Sequence, residues 1–274
     1  MRTVSGDQVK LLTVVVALLA LPMVASGEGA APSADELAKQ LANPVASLTS
    51  VPFQLNWDTG IGASGDGERE TLNVQPVIPF TLNDDWNLIS RTILPVVWQQ
   101  DVVPGDGSQS GLGDTVQSVF FSPSKPTAGG WILGGGPVLL LPTGADDFTV
   151  DQWGAGPTGV ALKQTESGWT YGILFNHLWG FSNSGRLDDV NATFLQPFAA
   201  NNIGRGRTVS FNTESTYDWN ASQWTVPVNV SFSQVLPIHG QLTSFQFGAR
   251  AYLDKPDGGP DWGLRFVFTM LFPR

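Results

Sequence analysis

The sequence predicts an all-β protein, a transmembrane antiparallel β-barrel of about twelve strands preceded by a short N-terminal periplasmic helix. Three observations carry that expectation. The closing stretch alternates strictly: Trp262, Leu264, Phe266, Phe268, Met270 and Phe272 are apolar, while Gly263, Arg265, Val267, Thr269 and Leu271 are mixed and include a charge. Alternation of this length is a strand with one apolar face, and an aromatic near the C-terminus suits the last strand of an outer-membrane barrel. The connections between extended segments then alternate in charge, and the tryptophans gather at segment ends. A soluble sandwich could share the first property but has no reason for the other two.

Composition is consistent with this. Charged residues make up 14% of the 274-residue chain, against about 25% in soluble proteins. A hydrophobic content of 42%, with ten Trp and sixteen Phe, excludes a disordered chain. The absence of Cys fits either a reduced compartment or an exported protein that avoids disulfides. The N-terminus favours export. Arg2 and Lys10 form a basic region, Leu11 to Val24 is apolar apart from Thr13 and Pro22, and Val24-Ala25-Ser26-Gly27 supplies small residues for cleavage. Residues 1–26 therefore read as a secretory signal peptide, an uncleaved anchor being the alternative. Its removal takes away Arg2, Lys10 and Asp7 and leaves 12 basic against 23 acidic residues, a balance that speaks against nucleic acid as a partner.

Residues 27–50 read as a periplasmic leader. Ser33 with Glu36 has capping-box spacing, Leu37 and Leu41 share one helical face, and Pro44 ends the helix. The helix is either a lid or plug, or part of a loosely ordered leader. The barrel is expected over 51–274. Its twelve segments lie near 51–58, 70–82, 86–98, 114–122, 130–142, 152–163, 168–179, 189–199, 207–218, 223–234, 242–252 and 262–272. In the first, Val51, Phe53, Leu55 and Trp57 oppose Gln54, Asn56 and Asp58; in the eleventh, Phe245, Phe247, Ala249 and Ala251 oppose Ser244, Gln246 and Arg250. The central segments, with Gly134-Gly135-Gly136 and Gly154 to Gly159, do not declare their faces. Prolines at 76, 79, 95, 137, 157, 197 and 227 lack a ladder donor and are expected at bulges or near the rim.

If the first segment runs outward, every second connection is an outer loop. These loops and the adjoining strand ends hold sixteen of the 23 acids, Asp58 and Asp218 among them, while the connections between them are shorter and more evenly charged. Trp57, Trp98, Trp153, Trp179, Trp219, Trp224 and Trp262 fall at the outer rim, and Trp86, Trp131 and Trp169 at the inner rim. Rings at both interfaces are the aromatic girdles of a membrane barrel.

No motif announces an enzyme, a metal or a cofactor. The histidines, His177 and His239, stand far apart without ligand spacing. Asp254, Asp257 and Asp261 beside Gly258-Gly259 are either a calcium turn or a solvated acidic turn. A lipid hydrolase needs a Ser–His pair, and a rim protease needs His177 near Asp188 or Asp189; an outer-membrane hydrolase is therefore the third reading, with no catalytic residue assigned. Passage of small solutes ranks first, and a structural or surface-interaction barrel with a filled lumen second. Lumen candidates by alternation are Arg91, Arg250 and Arg265 as a basic side, Glu214 with Asp218 as an acidic side, and Asn229 and Gln246 between them. Outer-membrane lipid surrounds such a barrel, and divalent ions would bridge its acidic loops to lipopolysaccharide.

The chain also resembles a known family. The matching stretches are ELAKQLANPVASL from Glu36, TLNVQPVIPFTLNDDWNLISRTILPVVWQ from Thr71, SQSGLGDTVQSVFFSP from Ser108, GGWILGGGPVLLLPT from Gly129, WGAGPTGVALKQ from Trp153, NATFLQPF from Asn191, FNTESTYDW from Phe211 and GGPDWGLRFVFTMLFP from Gly258. They resemble bacterial outer-membrane proteins labelled "transporter" or "neuromedin U", related to the family named for the meta-pathway of phenol degradation. The resemblance implies a Gram-negative outer-membrane barrel passing small molecules, with aromatic or hydrophobic solutes by association. It brings no catalytic residues.

Overall fold

The computed structural model describes residues 32–103, 105, 107–145, 147–182 and 189–273; the signal peptide expected over 1–26 lies outside them. The chain first forms helix α1 (Ala34–Leu41), because Ser33 Oγ accepts the Glu36 N–H at 3.1 Å while Asp35 and Glu36 occupy the first turn and Lys39 the last. That placement suits the helix dipole. Asn43 ends the run, its Oδ1 accepting the Val45 N–H at 3.0 Å.

Twelve antiparallel strands follow. They are β1 (Thr49–Ile61), β2 (Gly67–Val74, continuing as Val77–Thr81), β3 (Trp86–Gln100), β4 (Ser108–Leu112, continuing as Thr115–Pro123), β5 (Trp131–Leu141), β6 (Gly154–Gln164), β7 (Trp169–Gly180), β8 (Asn191–Gly204), β9 (Arg207–Thr213, continuing as Ser215–Asp218), β10 (Gln223–Thr225, continuing as Pro227–Ile238), β11 (Gln241–Tyr252) and β12 (Trp262–Phe272). Each pairs with its neighbours in sequence, and β1 seals against β12 from Thr49↔Phe272 to Thr59↔Trp262. The sheet therefore closes and leaves no edge, as backbone in lipid requires. Each of the twelve sequence segments corresponds to one strand. The strands run further into the inner turns than expected: two of these are only Arg205-Gly206 and His239-Gly240, with φ of 59° and 71°, and 49° and 84°. Positive φ at both central residues matches the twist of paired strands.

Five of the seven prolines fall into two groups. Pro76, Pro95 and Pro227 lie beside the ladder interruptions, where Gly113 N–H reaches the Pro95 carbonyl at 2.9 Å and Glu214 N–H the Pro227 carbonyl at 3.3 Å. Pro137 and Pro157 depart from the expected bulge or rim placement: they face each other mid-wall in β5 and β6, and the next ladder passes from Ala155↔Trp179 to Thr158↔Asn176 in unchanged register without the intervening pairs. Missing donors open the ladder there.

The two faces of the wall differ in polarity. Leu139, Ile173, Phe211, Val230, Phe247 and Phe266 are exposed on the outside, forming the apolar band a lipid bilayer solvates. Exposed Trp86, Trp131 and Trp169 stand at the inner strand ends, and Trp98, Trp153, Trp179, Trp219 and Trp262 at or near the outer ends. Asn56, Asp58, Asn229, Ser231, Arg250 and Arg265 are buried on the inside. Among the described residues no helix is long and apolar enough to cross a membrane.

Candidate solute path through the lumen

Alternation turns every second residue of each strand inward, and the inward side chains fall into three tiers. The outer tier surrounds a cavity of about 700 Å³ lined by Asn56, Asp58, Arg69, Arg250, Tyr252 and the loop Pro256–Pro260. Asp58 on β1 meets Arg250 on β11 across the intervening strand: Nη1 donates to Oδ2 at 3.4 Å, and Nε stands 3.4 Å from Oδ1. Gly263 on β12 makes room for this contact, since a Cβ there would lie 2.4 Å from the Asp58 carboxylate oxygen and 2.3 Å from the Trp57 carbonyl. Arg69, opposite Asp58 in the β1–β2 ladder, donates from Nε to Gln99 at 2.9 Å.

The middle tier is a charged belt. Arg265 is 2% exposed and donates through Nη1 and Nη2 to both oxygens of Glu214, at 2.9 and 2.6 Å, and through Nε to Asn56 at 2.8 Å. Glu214 belongs to the interruption in β9, and β10 and β11 separate that strand from β12, so the pair reaches across the lumen rather than along the wall. A bidentate guanidinium–carboxylate pair fixes both charges in direction as well as distance. Asn229 donates to Asn212 at 2.8 Å, and Gln246 to Ser231 at 2.8 Å. Arg91 donates to Gln75 at 3.0 Å and lines a second, smaller cavity of about 180 Å³ on the inner side.

The inner tier is apolar and contains the leader. Val45 is buried among Ile89, Phe120, Val160, Leu162 and Leu174, contributed by four different strands. Leu37, Ala38 and Leu48 pack with Val235 and Leu271. Three hydrogen bonds fasten the segment: Asp35 Oδ1 accepts the Gly206 N–H at 2.7 Å, the Asp35 carbonyl accepts Asn202 Nδ2 at 3.0 Å, and the Lys39 carbonyl accepts Gln164 Nε2 at 2.8 Å. Gly206 is required there, because a Cβ would stand 2.8 Å from that of Ala34. Residues 34–48 thus fill the inner mouth as a plug.

The structure brings together Arg250, Arg265, Glu214, Asn229 and Gln246 on the lumen side, with Arg91 towards the inner cavity. Asp218 lies elsewhere: it is exposed at the outer end of β9, and its carboxylate accepts the N–H groups of Asn220 and Ala221 at 2.8 and 3.1 Å. A side chain that caps its own turn is held out of the lumen. Asp58, counted with the outer-loop acids, is instead a buried lumen residue. Its membership of the polar set Gln54, Asn56, Asp58 carried that information.

The remaining candidate residues are held by local partners, although His177 Nε2 is buried without one. His177 Nδ1 is 2.7 Å from the Thr193 hydroxyl, which also accepts Trp219 Nε1–H at 2.9 Å, so the His177 ring sits in the outer girdle beside Trp179. Asp189 accepts from Gln152 at 3.2 Å, and Asp188 lies outside the described residues. Asp261 pairs with Lys255 and Asp254 accepts from Gln223 at 3.1 Å. Among the described residues no group of three acids or histidines converges as metal ligands do.

Comparison with known proteins gives the following. A family model described as "Putative MetA-pathway of phenol degradation" matches residues 49–273. No curated protein matches. An outer membrane channel from Pseudomonas putida F1 is 15% identical and superposes over 91% of this chain and 100% of its own, with a TM-score of 0.64. The outer membrane phospholipase A of Escherichia coli is 12% identical over 88% of this chain and 99% of its own, with a TM-score of 0.49. The beta domain of the Bordetella autotransporter Brka is 13% identical over 81% and 98%, with a TM-score of 0.44. At such identities the likeness to the channel is one of fold, and the two lower scores carry no argument.

Proposed function

This chain belongs to the putative MetA-pathway of phenol degradation family, and from that membership we propose that it is an outer-membrane channel passing small solutes, hydrophobic and aromatic ones included. The observation that supports this reading is the division of labour in the lumen. An outward cavity of about 700 Å³ borders the Glu214–Arg265 belt through Asn56, and the inner mouth is filled by a leader segment rather than by the wall. A filling that belongs to a separate segment can leave without breaking the barrel. The four lumen arginines at 69, 91, 250 and 265 against Asp58 and Glu214 give the path a preference for anions. The proposal includes lipopolysaccharide bound beside the acidic outer loops. It includes no catalysis, and the "neuromedin U" label of similar sequences plays no part in it.

One observation favours the second reading, a structural barrel with a filled lumen: Val45, Ile89 and Phe120 are packed as tightly as a protein core, at 6%, 0% and 1% exposure. Conductance in a planar bilayer decides between the two. The channel reading expects rare or brief openings for the full mature chain and sustained, anion-preferring steps once residues 34–48 are deleted. Silence from both, with each barrel folded by its heat-shifted gel mobility, overturns it in favour of the filled barrel.

A further inference from the structure

The outer cavity holds more cationic donor capacity than the protein itself uses. Arg250 is 8% exposed, yet its Nε has no hydrogen-bond partner, and neither does Asp58 Oδ1 beside it. Their contacts at 3.4 Å are longer than a well-formed charged hydrogen bond. Arg69 lines the same cavity, opposite Asp58 in the ladder, with its Nε on the neutral Gln99. Two guanidinium groups therefore line the cavity against one buried carboxylate, Asp58, which pairs with Arg250, whereas buried charges are ordinarily matched. Among the described residues the other acid on the lining is Asp257, exposed in the loop above. Tyr252 lies beside the Arg250 guanidinium, 5.1 Å from Cζ to ring centroid, and offers a flat apolar face. Ile61, Val102, Pro256 and Pro260 supply apolar wall nearer the mouth. The volume, about 700 Å³, falls in the range of small-molecule sites.

We propose that this cavity is a binding site for a small organic carboxylate with an apolar body. The carboxylate bridges Arg69 and Arg250, completing the unfilled Nε, and the body lies against Tyr252 and the loop prolines. A planar carboxylate matches the fork of a guanidinium better than a spherical anion does. The inference deepens the channel reading and rests on it for the sense of solute traffic, while binding itself needs no open pore.

Titration calorimetry of the full mature barrel in detergent tests it, with three probes. Benzoate has charge and ring, acetate the charge alone, and benzyl alcohol the ring alone. Benzoate is expected to bind saturably and at least about tenfold tighter than either control, the order of one charge-assisted bond. Arg69→Gln and Arg250→Lys are each expected to weaken benzoate about tenfold and leave benzyl alcohol unchanged. Arg250→Lys keeps a cation beside Asp58, so folding is preserved while the fork is lost. Benzoate binding no tighter than benzyl alcohol, or unaffected by both substitutions, overturns the site. A barrel that conducts but does not discriminate these probes refutes the site and leaves the channel standing. One that binds benzoate but stays silent even without residues 34–48 confirms the site and refutes the channel.

Discussion

The two halves of the lumen are lined from different strands, β1, β2 and β11 for the outer residues and β3, β4, β6 and β7 for the inner ones, and they differ in polarity and in filling. In the outer half the inward positions carry Asp58, Arg69, Arg250 and Tyr252, and they leave a cavity open. In the inner half they carry Ile89, Phe120, Val160, Leu162 and Leu174, and the space is occupied by Val45. A charged lumen stays open because water solvates it as well as any side chain would. An apolar lumen facing water is unfavourable, so it needs a filling, and the leader provides one. The contrast teaches that the leader's seat is apolar, and that burial of that wall, together with three hydrogen bonds to the strands, holds the segment there.

The largest effect that would break this contrast is expected at the belt between the halves. Glu214→Ala leaves the Arg265 guanidinium buried without its bidentate partner, which costs about 3–5 kcal/mol. Equilibrium unfolding from lipid vesicles measures it, and Glu214→Ala with Arg265→Met should recover much of the loss. Recovery by less than about 1 kcal/mol would mean the belt is not the coupled unit described. Next comes Val45→Asp, which places a charge among Ile89, Phe120 and Leu162. The segment is expected to leave the mouth with a loss of about 2–3 kcal/mol of burial, read as protease cleavage within 34–48 and a raised open probability in the bilayer. An uncut segment would show that the apolar contacts are not what retains it. Gly263→Ala confines its effect to the outer half: its Cβ would displace the Asp58 carboxylate, with a cost of about 1–3 kcal/mol from overpacking and unchanged protection of the plug. The smallest is Ser33→Ala. Loss of the α1 cap costs about 1 kcal/mol and should raise cleavage of the plug only several-fold, with the barrel's unfolding midpoint unmoved.

Much of the wall was readable in advance because alternation is a local property. Arg265, Arg250, Asn229 and Gln246 face inward as their positions between apolar neighbours required. The apolar inner half was not readable, and the reason is specific. In β7, Leu174 points inward and Phe175 outward, so adjacent residues are both apolar and the two-residue period disappears. Only the placement of Val45 explains why an inward position should be apolar. The leader's residues predict a helix with one narrow apolar face, which is compatible with a lid, a plug or a loosely ordered leader. The Glu214–Arg265 pair was equally hidden as a pair, because two strands lie between its members along the wall and only closure brings them together. Asp58 belongs both to the polar set of the first strand and to the acids at its outer end, and only its burial shows that the first membership decides its place.

Leu48, buried to 3% exposure, is joined directly to Thr49, the first residue of β1. The plug is therefore tethered to the wall it blocks. Fifteen residues reach no further than about 50 Å when fully extended, so a displaced segment never diffuses away, and it meets its seat at an effective concentration on the order of millimolar. On the proposed channel reading, reclosure is therefore intramolecular, and dilution, protein abundance and the volume of the surrounding compartment have no influence on how often the mouth would stand open. Only forces on the tether, a competing surface for Leu37 and Leu48, or cleavage of the chain before Thr49 can change that frequency.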